Sequence, residues 1–251
     1  MRTFKSYFKK EIMESLRQYR YISLGLGIII FAIVDPLMLK LLPSILKNQI
    51  PGDLSSLFNI TPAYAVVNYI KDLVTIGNLF VIFTLGGILS EEIHGQKLVF
   101  PYSRGSRPAG IVIAKVIHYA LAISFFTFIG FLTVYYYIGI LFTGDMPTLA
   151  GVMKSATLIS LYYVYNITLV VLLSSLVKKG IAAGFIVLIL NFVDIGAVKL
   201  KGIGKFMPYK LVEKANLMTL QGAGITIWVV TAVSIVFVIM TIYRMNRVEV
   251  I

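Results

Sequence analysis

The chain has 251 residues, of which 58% are hydrophobic and only 14% are charged. Soluble domains are about half apolar and about one-quarter charged, so this composition excludes an ordinary soluble domain and indicates an integral membrane protein. The lack of cysteine excludes disulfide and thiolate chemistry. The net charge is +12. Its lysines and arginines lie mostly at the ends of apolar segments, where anionic lipid headgroups are the natural partner, so we expect membrane lipid and no nucleic acid.

The first twenty residues (1–20) predict an amphipathic helix. Phe4, Phe8, Ile12 and Leu16 recur every four residues, and basic residues occupy the other faces. Such a helix lies in the membrane interface. A basic flank that only orients the first span explains the same pattern. The first apolar run is long and ends in charged and proline residues, so we expect it to be retained rather than cleaved as a signal peptide.

Six apolar runs are long enough to cross a bilayer, whose core of about 30 Å needs about 20 helical residues. The runs are roughly 21–42, 73–90, 112–142, 153–177, 180–199 and 223–243. No internal repeat and no room for a soluble domain is apparent. The sequence therefore predicts an all-α membrane protein with six transmembrane helices, formed as a single domain over 1–251, with both termini on the same side.

The distribution of lysine and arginine predicts the orientation. With the termini inside the cell, about 14 basic residues lie on the inner side and about 9 on the outer side, which favours cytoplasmic termini and a multi-pass protein of a prokaryotic plasma membrane. Five of the outer lysines fall within 199–214. The stretch KFMPYKLVEKANLMTL (205–220) mixes lysines with apolar residues, so we expect short helices at the outer interface within 200–222.

The polar segment between the second and third runs carries the most distinctive pattern. It reads EEIHGQKLVFPYSRGSRPAGIVIAK (91–115), with two glutamates, a glycine, a P-x-S-R turn and a lysine that enters the next span. This pattern resembles the membrane subunits of ABC-2 type transporters. The resemblance extends to the basic amphipathic N-terminal helix, the six spans and the short outer helices, and so covers nearly the whole chain.

The resemblance implies that 91–111 is a cytoplasmic coupling helix that docks on a separate ATP-hydrolysing subunit. The residues that it assigns to this coupling are Glu91, Glu92, Gly95, Pro101, Ser103, Arg104 and Arg107. An ordinary polar loop that keeps its charges in water accounts for the same residues without a partner.

The chain has no G-x-x-x-x-G-K-[ST] loop for nucleotide phosphates. We therefore expect it not to be an enzyme and to hold no cofactor or metal of its own, with ATP and Mg²⁺ bound by an ABC ATPase subunit. The resemblance also implies a second copy of the chain, because one six-helix unit makes half of such a path. Gly180 and Gly184 have the spacing of closely packed helices, within one chain or between two.

Polar residues inside the apolar runs are candidates for a translocation path. Asp35 and Asp194 each lie 14 residues into a run, at a similar predicted depth, and intramembrane acids often mark such paths. Tyr162, Tyr165 and Asn166 share one helical face and suit an amphipathic substrate such as a drug, a peptide or a lipid-like molecule. Interfacial acids paired with Lys40 or Lys199, and hydrogen bonding between helices, explain the same residues.

Two other classes remain open on these residues. A single-chain secondary transporter or channel would use Asp35 and Asp194 as its buried ionisable groups. An intramembrane metalloprotease would use the glutamate pair together with His94 and His118, which are the only two histidines and are fewer than the converging ligands that a metal site needs. An exporter's permease subunit accounts for more of the chain than either class.

Overall fold

The computed structural model describes residues 2–47 and 61–248, and within those ranges the protein is all-α. Six of the helical segments there are long and apolar enough to cross a membrane, as predicted. The protein is therefore a multi-pass helical membrane protein. The spans are Arg20–Ile45, Pro62–His94, Pro108–Leu141, Leu149–Leu176, Gly180–Ala197 and Gly224–Asn246.

The chain begins with two consecutive helices, α1 (Arg2–Arg17) and α2 (Arg20–Lys47). Helix α1 is strongly amphipathic, so the predicted amphipathic helix is confirmed. The helices are separated by Tyr19, whose φ of 57° is left-handed and ends the first helix sharply. Helix α1 packs mainly against α7 (Pro108–Leu141), the third span.

The second span is longer than predicted and is not a uniform α-helix. It comprises α3 (Pro62–Asp72), one wider π-helical turn (Leu73–Gly77), α4 (Asn78–Leu85) and α5 (Ser90–His94). The predicted start at residue 73 was wrong: Thr61 caps the helix by accepting from the Tyr64 amide at 3.2 Å, and proline occupies the first turn. Polar side chains near the end of α3 interrupt the apolar pattern, so hydropathy did not reveal this first part of the span.

The remaining spans agree with the predicted runs. They are α7 (Pro108–Leu141), α8 (Leu149–Leu176), α9 (Gly180–Ala197) and α11 (Gly224–Asn246). A short helix, α6 (Val99–Ser103), lies between the second and third spans. A 3₁₀ turn (Gly204–Phe206) and α10 (Tyr209–Asn216) precede α11, which confirms the short helices predicted there.

Helix α8 is central to the bundle. Of its most apolar 18-residue stretch, 72% is buried inside the protein, against 22% for α11. It packs against α7, α11, α10, α9 and α4. Helices α9 and α11 therefore present most of their apolar surface outward, where lipid or another protein meets it.

Glycines allow the second span to break and to contact α9 closely. A Cβ atom on Gly180 would lie 2.5 Å from the Gly87 Cα, and a Cβ on Gly184 would press on Phe83. The GIAAG spacing thus serves packing within this chain. The amides of Leu89 and Ser90, which follow the break, donate to Ser174 Oγ at 3.1 and 3.0 Å. This hydroxyl satisfies backbone groups that the interrupted helix leaves open.

Candidate functional site

A polar platform joins α1, α5, α6 and the first turns of α7 at one end of the bundle. Helix α1 turns Tyr7, Glu11 and Ser15 inward, and all three are buried. By contrast, Leu16 of the predicted apolar stripe is 61% exposed. The predicted stripe is thus divided: Phe4 and Phe8 pack against the protein beside this polar face, with Phe8 edge-on to His118, whereas Ile12 and Leu16 are exposed.

Two ammonium groups and two buried carboxylates hold the platform together. Lys115 Nζ lies 2.6 Å from Glu11 Oε1 and 3.0 Å from Glu92 Oε1. Lys10 Nζ also binds Glu92. The side chains of Lys115, Glu11 and Glu92 are at most 4% exposed. Helices α1, α5 and α7 therefore meet at charges that compensate one another, because an unpaired charge in such surroundings is strongly disfavoured.

The charged groups in the outer part of the platform are also paired with opposite charges. Lys10 Nζ contacts Glu14 Oε2 at 3.1 Å, one helical turn away. Burial lowers the pKa of Lys10, but the carboxylates of Glu92, Glu11 and Glu14 outweigh burial and the pKa is raised. Burial raises the pKa of Glu14, but Lys10 outweighs it and the pKa is lowered. Each group thus keeps its charge in the folded protein.

A hydrogen-bonded group extends from these ion pairs to the start of the first span. Ser15 Oγ lies 3.2 Å from His118 Nε2 and 3.1 Å from the Tyr119 hydroxyl. Arg20 Nη1 donates to the Tyr119 hydroxyl at 2.7 Å, and the Tyr21 hydroxyl lies 3.2 Å from His118 Nε2. His118, one of the two histidines considered for a metalloprotease, is thus held by hydroxyl groups, whereas His94 is exposed.

Three carboxylates of the platform are spaced like the ligands of a cation site, but lysines already neutralise their charge. Carboxylate oxygens of Glu11, Glu14 and Glu92 lie within 4.8 Å of one another. Such a group of oxygens would suit a hard divalent cation. The ammonium groups of Lys10 and Lys115 lie against these same oxygens and supply the positive charge that a metal would bring.

The two glutamates that begin the proposed coupling segment have different surroundings. Glu92 is buried in the platform, while Glu91 is exposed. Gly95 ends α5, and a Cβ there would lie 2.5 Å from the Glu91 carbonyl oxygen, so this position requires glycine. Glu92 is therefore positioned to hold α5 against α1 and α7. Glu91 points to the surface, where another molecule can reach it.

The rest of the proposed coupling segment lies on the outside of the platform. Pro101 is half-buried within α6, Ser103 Oγ donates to the Phe100 carbonyl at 2.9 Å, and Arg104 stacks on the Phe100 ring at 4.0 Å. Arg107 is exposed, and its amide donates to Thr3 Oγ1 at 3.4 Å. The loop is thereby attached to α1.

Tyr102 attaches the same segment to the last helix. Its hydroxyl donates to the Met245 carbonyl at 3.4 Å. Burial, together with the nearby Glu92 carboxylate, raises the pKa of Tyr102 to about 12, so this hydroxyl remains a donor at neutral pH. The segment 91–111 thus contacts both α1 and α11.

Four of the five predicted path residues fall in one polar cluster between α8, α9 and α10. Asn191 Nδ2 donates to Asn166 Oδ1 at 2.8 Å, and Asn166 Nδ2 donates to the Tyr162 carbonyl at 3.0 Å. One turn along α9, Asp194 Oδ2 accepts from the Tyr209 amide at 2.8 Å, while its buried Oδ1 has no partner among the described residues. Tyr165 is half-buried and packs on Phe237 of α11.

Asp35 does not join this cluster. It lies on α2 and faces Asp72 of α3, at hydrogen-bonding reach between the two side chains. Lys40, considered as its interfacial partner, is instead exposed and stacks on Phe142 at 5.8 Å. The two acids predicted to act together are thus separate, and Asp72 is the actual neighbour of Asp35.

Sequence reasoning missed four residues that the structure makes important: Glu11, Lys115 as a buried group, Asn191 and Asp72. Lys115 lies two turns inside the helix that begins at Pro108, and a lysine at that depth signals a buried partner. Asn191 and Asp194 share a face by their spacing of three. Nothing in the sequence indicated which residues of distant helices pair with each other, such as Glu11 with Lys115 or Asp35 with Asp72.

Comparison with known proteins adds no family. No protein-family model matches the sequence, and no curated protein matches it. Three features of the structure bear on function: a polar platform at one end of a six-span bundle, a polar interhelical cluster, and a separate pair of acids.

Proposed function

We propose that this chain is the permease subunit of an ATP-driven ABC-2 type exporter. Two copies would frame a path for an amphipathic substrate, and a separate ATPase subunit would bind ATP and Mg²⁺. The observation that carries the proposal is the platform, in which the segment after the second span is attached to α1, α7 and α11 at one end of the bundle.

The platform suits the transmission of force from a soluble motor. A partner that pushes on α6 would move α11 through the Tyr102 contact and α1 through the Thr3 contact. The buried ion pairs of Glu92 join α5 to α1 and α7. Segments joined in this way move as a rigid body, which is how small displacements reach distant helices.

Docking requires charges that are free to meet a partner. Glu91, Arg104 and Arg107 are exposed on the platform, and exposed charges of this kind set the register and the association rate of a complex. Glu92 has a different role in this proposal, since its carboxylate is already bound within the chain. The platform and both termini would then lie in the cytoplasm.

The polar cluster of α8 and α9 is the proposed contact for substrate. Its tyrosines present apolar rings with polar ends, and the unpartnered Asp194 Oδ1 provides an acceptor beside them. Such a combination suits an amphipathic molecule with a donor or a positive charge. Helix α9 lies at the edge of the bundle with only 28% of its apolar stretch buried, so a second copy has surface to meet there.

Affinity capture tests the proposal. Tagged wild-type protein and the Arg104→Glu variant would be solubilised from native membranes, and copurified proteins would be identified and assayed for ATPase activity. We expect the wild type to bring down a protein with a G-x-x-x-x-G-K-[ST] loop, and Arg104→Glu to lose most of it. Lys201→Glu, an exposed lysine in the segment before α11, is the control and should bind normally.

Two results would contradict the proposal. One is capture of the same ATPase in equal amount by the Arg104→Glu variant, which would remove the assigned docking surface. The other is transport by the purified chain alone in liposomes without ATP, which would replace the proposal with a single-chain secondary carrier.

A further inference from the structure

A pair of carboxyl groups lies inside the membrane domain, away from the platform and from the polar cluster. Asp35 is only 5% exposed and stands 15 residues into α2, roughly 22 Å along the helix. Asp72, partly buried, is the last residue of α3. The two side chains are within hydrogen-bonding reach of each other. Asp35 Oδ2 is shielded from solvent and has no donor among the described residues.

No basic group of the described residues compensates this pair. Asp35 and Asp72 take part in no ion pair there, and the single side-chain donor to them is Asn68, whose Nδ2 lies 3.5 Å from Asp72 Oδ2. Lys71 and Lys40, the nearest lysines in sequence, are both exposed. Helix α7 carries no acid and no arginine, and its one lysine is Lys115 of the platform.

The other titratable groups near the pair are tyrosines with partners of their own. Tyr69, one turn before Asp72, donates to the Ile28 carbonyl at 3.3 Å. Tyr163 of α8 donates to the Leu73 carbonyl at 2.7 Å. The tyrosines of α7 in this half of the bundle are residues 135–137, and α4 and the π-helical turn carry no charged residue. In the part of the chain that the structure describes, Asp72 is thus the one charged group beside Asp35.

Two carboxylates in contact in such surroundings repel strongly, so the two groups cannot both be ionised without a counter-charge. A hydrogen bond between two carboxyl groups, in contrast, requires one proton and removes one negative charge. We propose that Asp35 and Asp72 form a proton-binding site inside the membrane domain, in which one proton is shared between the two side chains. This site is independent of the exporter proposal.

The proton is favoured over a metal ion by the ligands available. A calcium ion takes six to eight oxygens and a magnesium ion an octahedral set. The pair offers two carboxyl groups, with the Asn68 amide donating to one of them. A proton needs only two oxygens, one to carry it and one to accept it.

The pair lies at a point where loss of the proton would change the packing of the backbone. Asp72 directly precedes the π-helical turn Leu73–Gly77, a feature often found at functional positions. Two negative charges would push α3 away from α2 at the point where Tyr163 holds the Leu73 carbonyl. Proton release is therefore linked to the packing of the second span against the first and the fourth.

Infrared spectroscopy of the protein in nanodiscs tests the proposal directly. At neutral pH, where exposed carboxyls are ionised, the wild type is expected to show a protonated carboxyl band. Asp35→Asn should remove part of it, because the partly buried Asp72 then ionises alone. Asp72→Asn should shift the band, because the buried Asp35 keeps its proton but loses its carboxyl partner, and the double variant should lose no more than Asp35→Asn. Asp145→Asn, an exposed acid between α7 and α8, is the control and should keep the band.

Two outcomes would overturn the proposal: a band unchanged by either substitution, or losses in the two single variants that add in the double variant, which would mean two separate protons. A second measurement compares thermal unfolding at alkaline pH in sodium, potassium, calcium and choline chlorides. Equal melting temperatures in all four salts support a proton site. A rise with one metal cation in the wild type, absent from both single variants, would make this a cation site instead.

Discussion

Lys115 of α7 and Glu11 of α1 form an ion pair of 2.6 Å, and neither side chain is more than 1% exposed. Glu92 contacts the same ammonium group from α5 at 3.0 Å. One lysine therefore holds together α1, α5 and α7, of which α1 is far from the other two in sequence. Removing one member of such a buried pair leaves an uncompensated charge, which costs about 3–5 kcal/mol.

Replacing Lys115 by methionine should destabilise the protein by about 3–5 kcal/mol, because Glu11 and Glu92 then lose the ammonium group between them. Unfolding in mixed detergent micelles measures this change. Lys97→Met, at an exposed position, is the control and should shift stability by less than about 0.5 kcal/mol. The double variant Glu11→Leu/Lys115→Met should recover much of the loss. Equal stability of Lys115→Met and wild type would disprove the role of the pair.

Glu92 and Glu91 should respond differently to the same substitution. Glu92→Gln removes the charge that binds Lys10 and Lys115, so we expect faster hydrogen exchange throughout α1. Glu91→Gln changes only an exposed side chain and should leave that exchange at the wild-type rate. If both variants exchange alike, the platform does not depend on the buried glutamate.

The attachment of α1 should depend on pH at both extremes. Glu14 has a pKa below its ordinary 4.5, so its contribution is present above pH 4.5 and is lost as the pH falls through the lower, folded value. Lys10 has a pKa above its ordinary 10.5, so its contribution is complete below pH 10.5 and is lost as the pH rises through the higher value.

Limited proteolysis within α1 measures this attachment across the pH range, with a protease active throughout. We expect full protection between about pH 4.5 and pH 10.5, and cleavage that increases as the pH moves beyond these limits toward the folded pKa values of Glu14 and Lys10. Lys10→Met removes the main counter-charge of Glu14, so protection should then fail at a higher pH on the acid side. An unchanged acid limit in that variant would contradict the assignment.

Gly180→Ala should destabilise the protein where Gly196→Ala does not. A Cβ at position 180 would lie 2.5 Å from the Gly87 Cα, while nothing lies within 4 Å of a Cβ at position 196. Overpacking of this kind costs about 1–3 kcal/mol. Both glycines lie on α9, so helix propensity affects them similarly and the difference in thermal stability isolates the contact. A smaller loss at 180 than at 196 would refute this packing.

Hydropathy predicted the number of spans and most of their limits, because a bilayer core imposes the same length on each helix. It failed at α3, where Asn68, Lys71 and Asp72 interrupt the apolar run although Thr61 and Pro62 start a helix before them. The period of four in α1 predicted the helix correctly. It said nothing of the inward polar face, since amphipathic periodicity does not reveal what a polar face contacts.

The candidate sites were predictable only within single helices. Spacing placed Tyr162 and Asn166 on one face, and the structure keeps them in one cluster. It could not place Asp35 beside Asp72 rather than level with Asp194, because that choice depends on how α2 packs against α3. The buried pairing of Lys115 with Glu11 joins residues 104 positions apart, beyond the reach of any local pattern.

That separation also orders events during synthesis. Glu11 leaves the ribosome 104 residues before its partner, which at 5–20 residues per second is an interval of roughly 5–20 seconds. Throughout this time the first two spans are made while the inward face of α1 has no lysine from α7 to meet. The nascent chain must therefore keep α1 at the membrane surface, with the exposed side chains of Ile12 and Leu16 as a temporary anchor, until the third span is made and α1 packs against it.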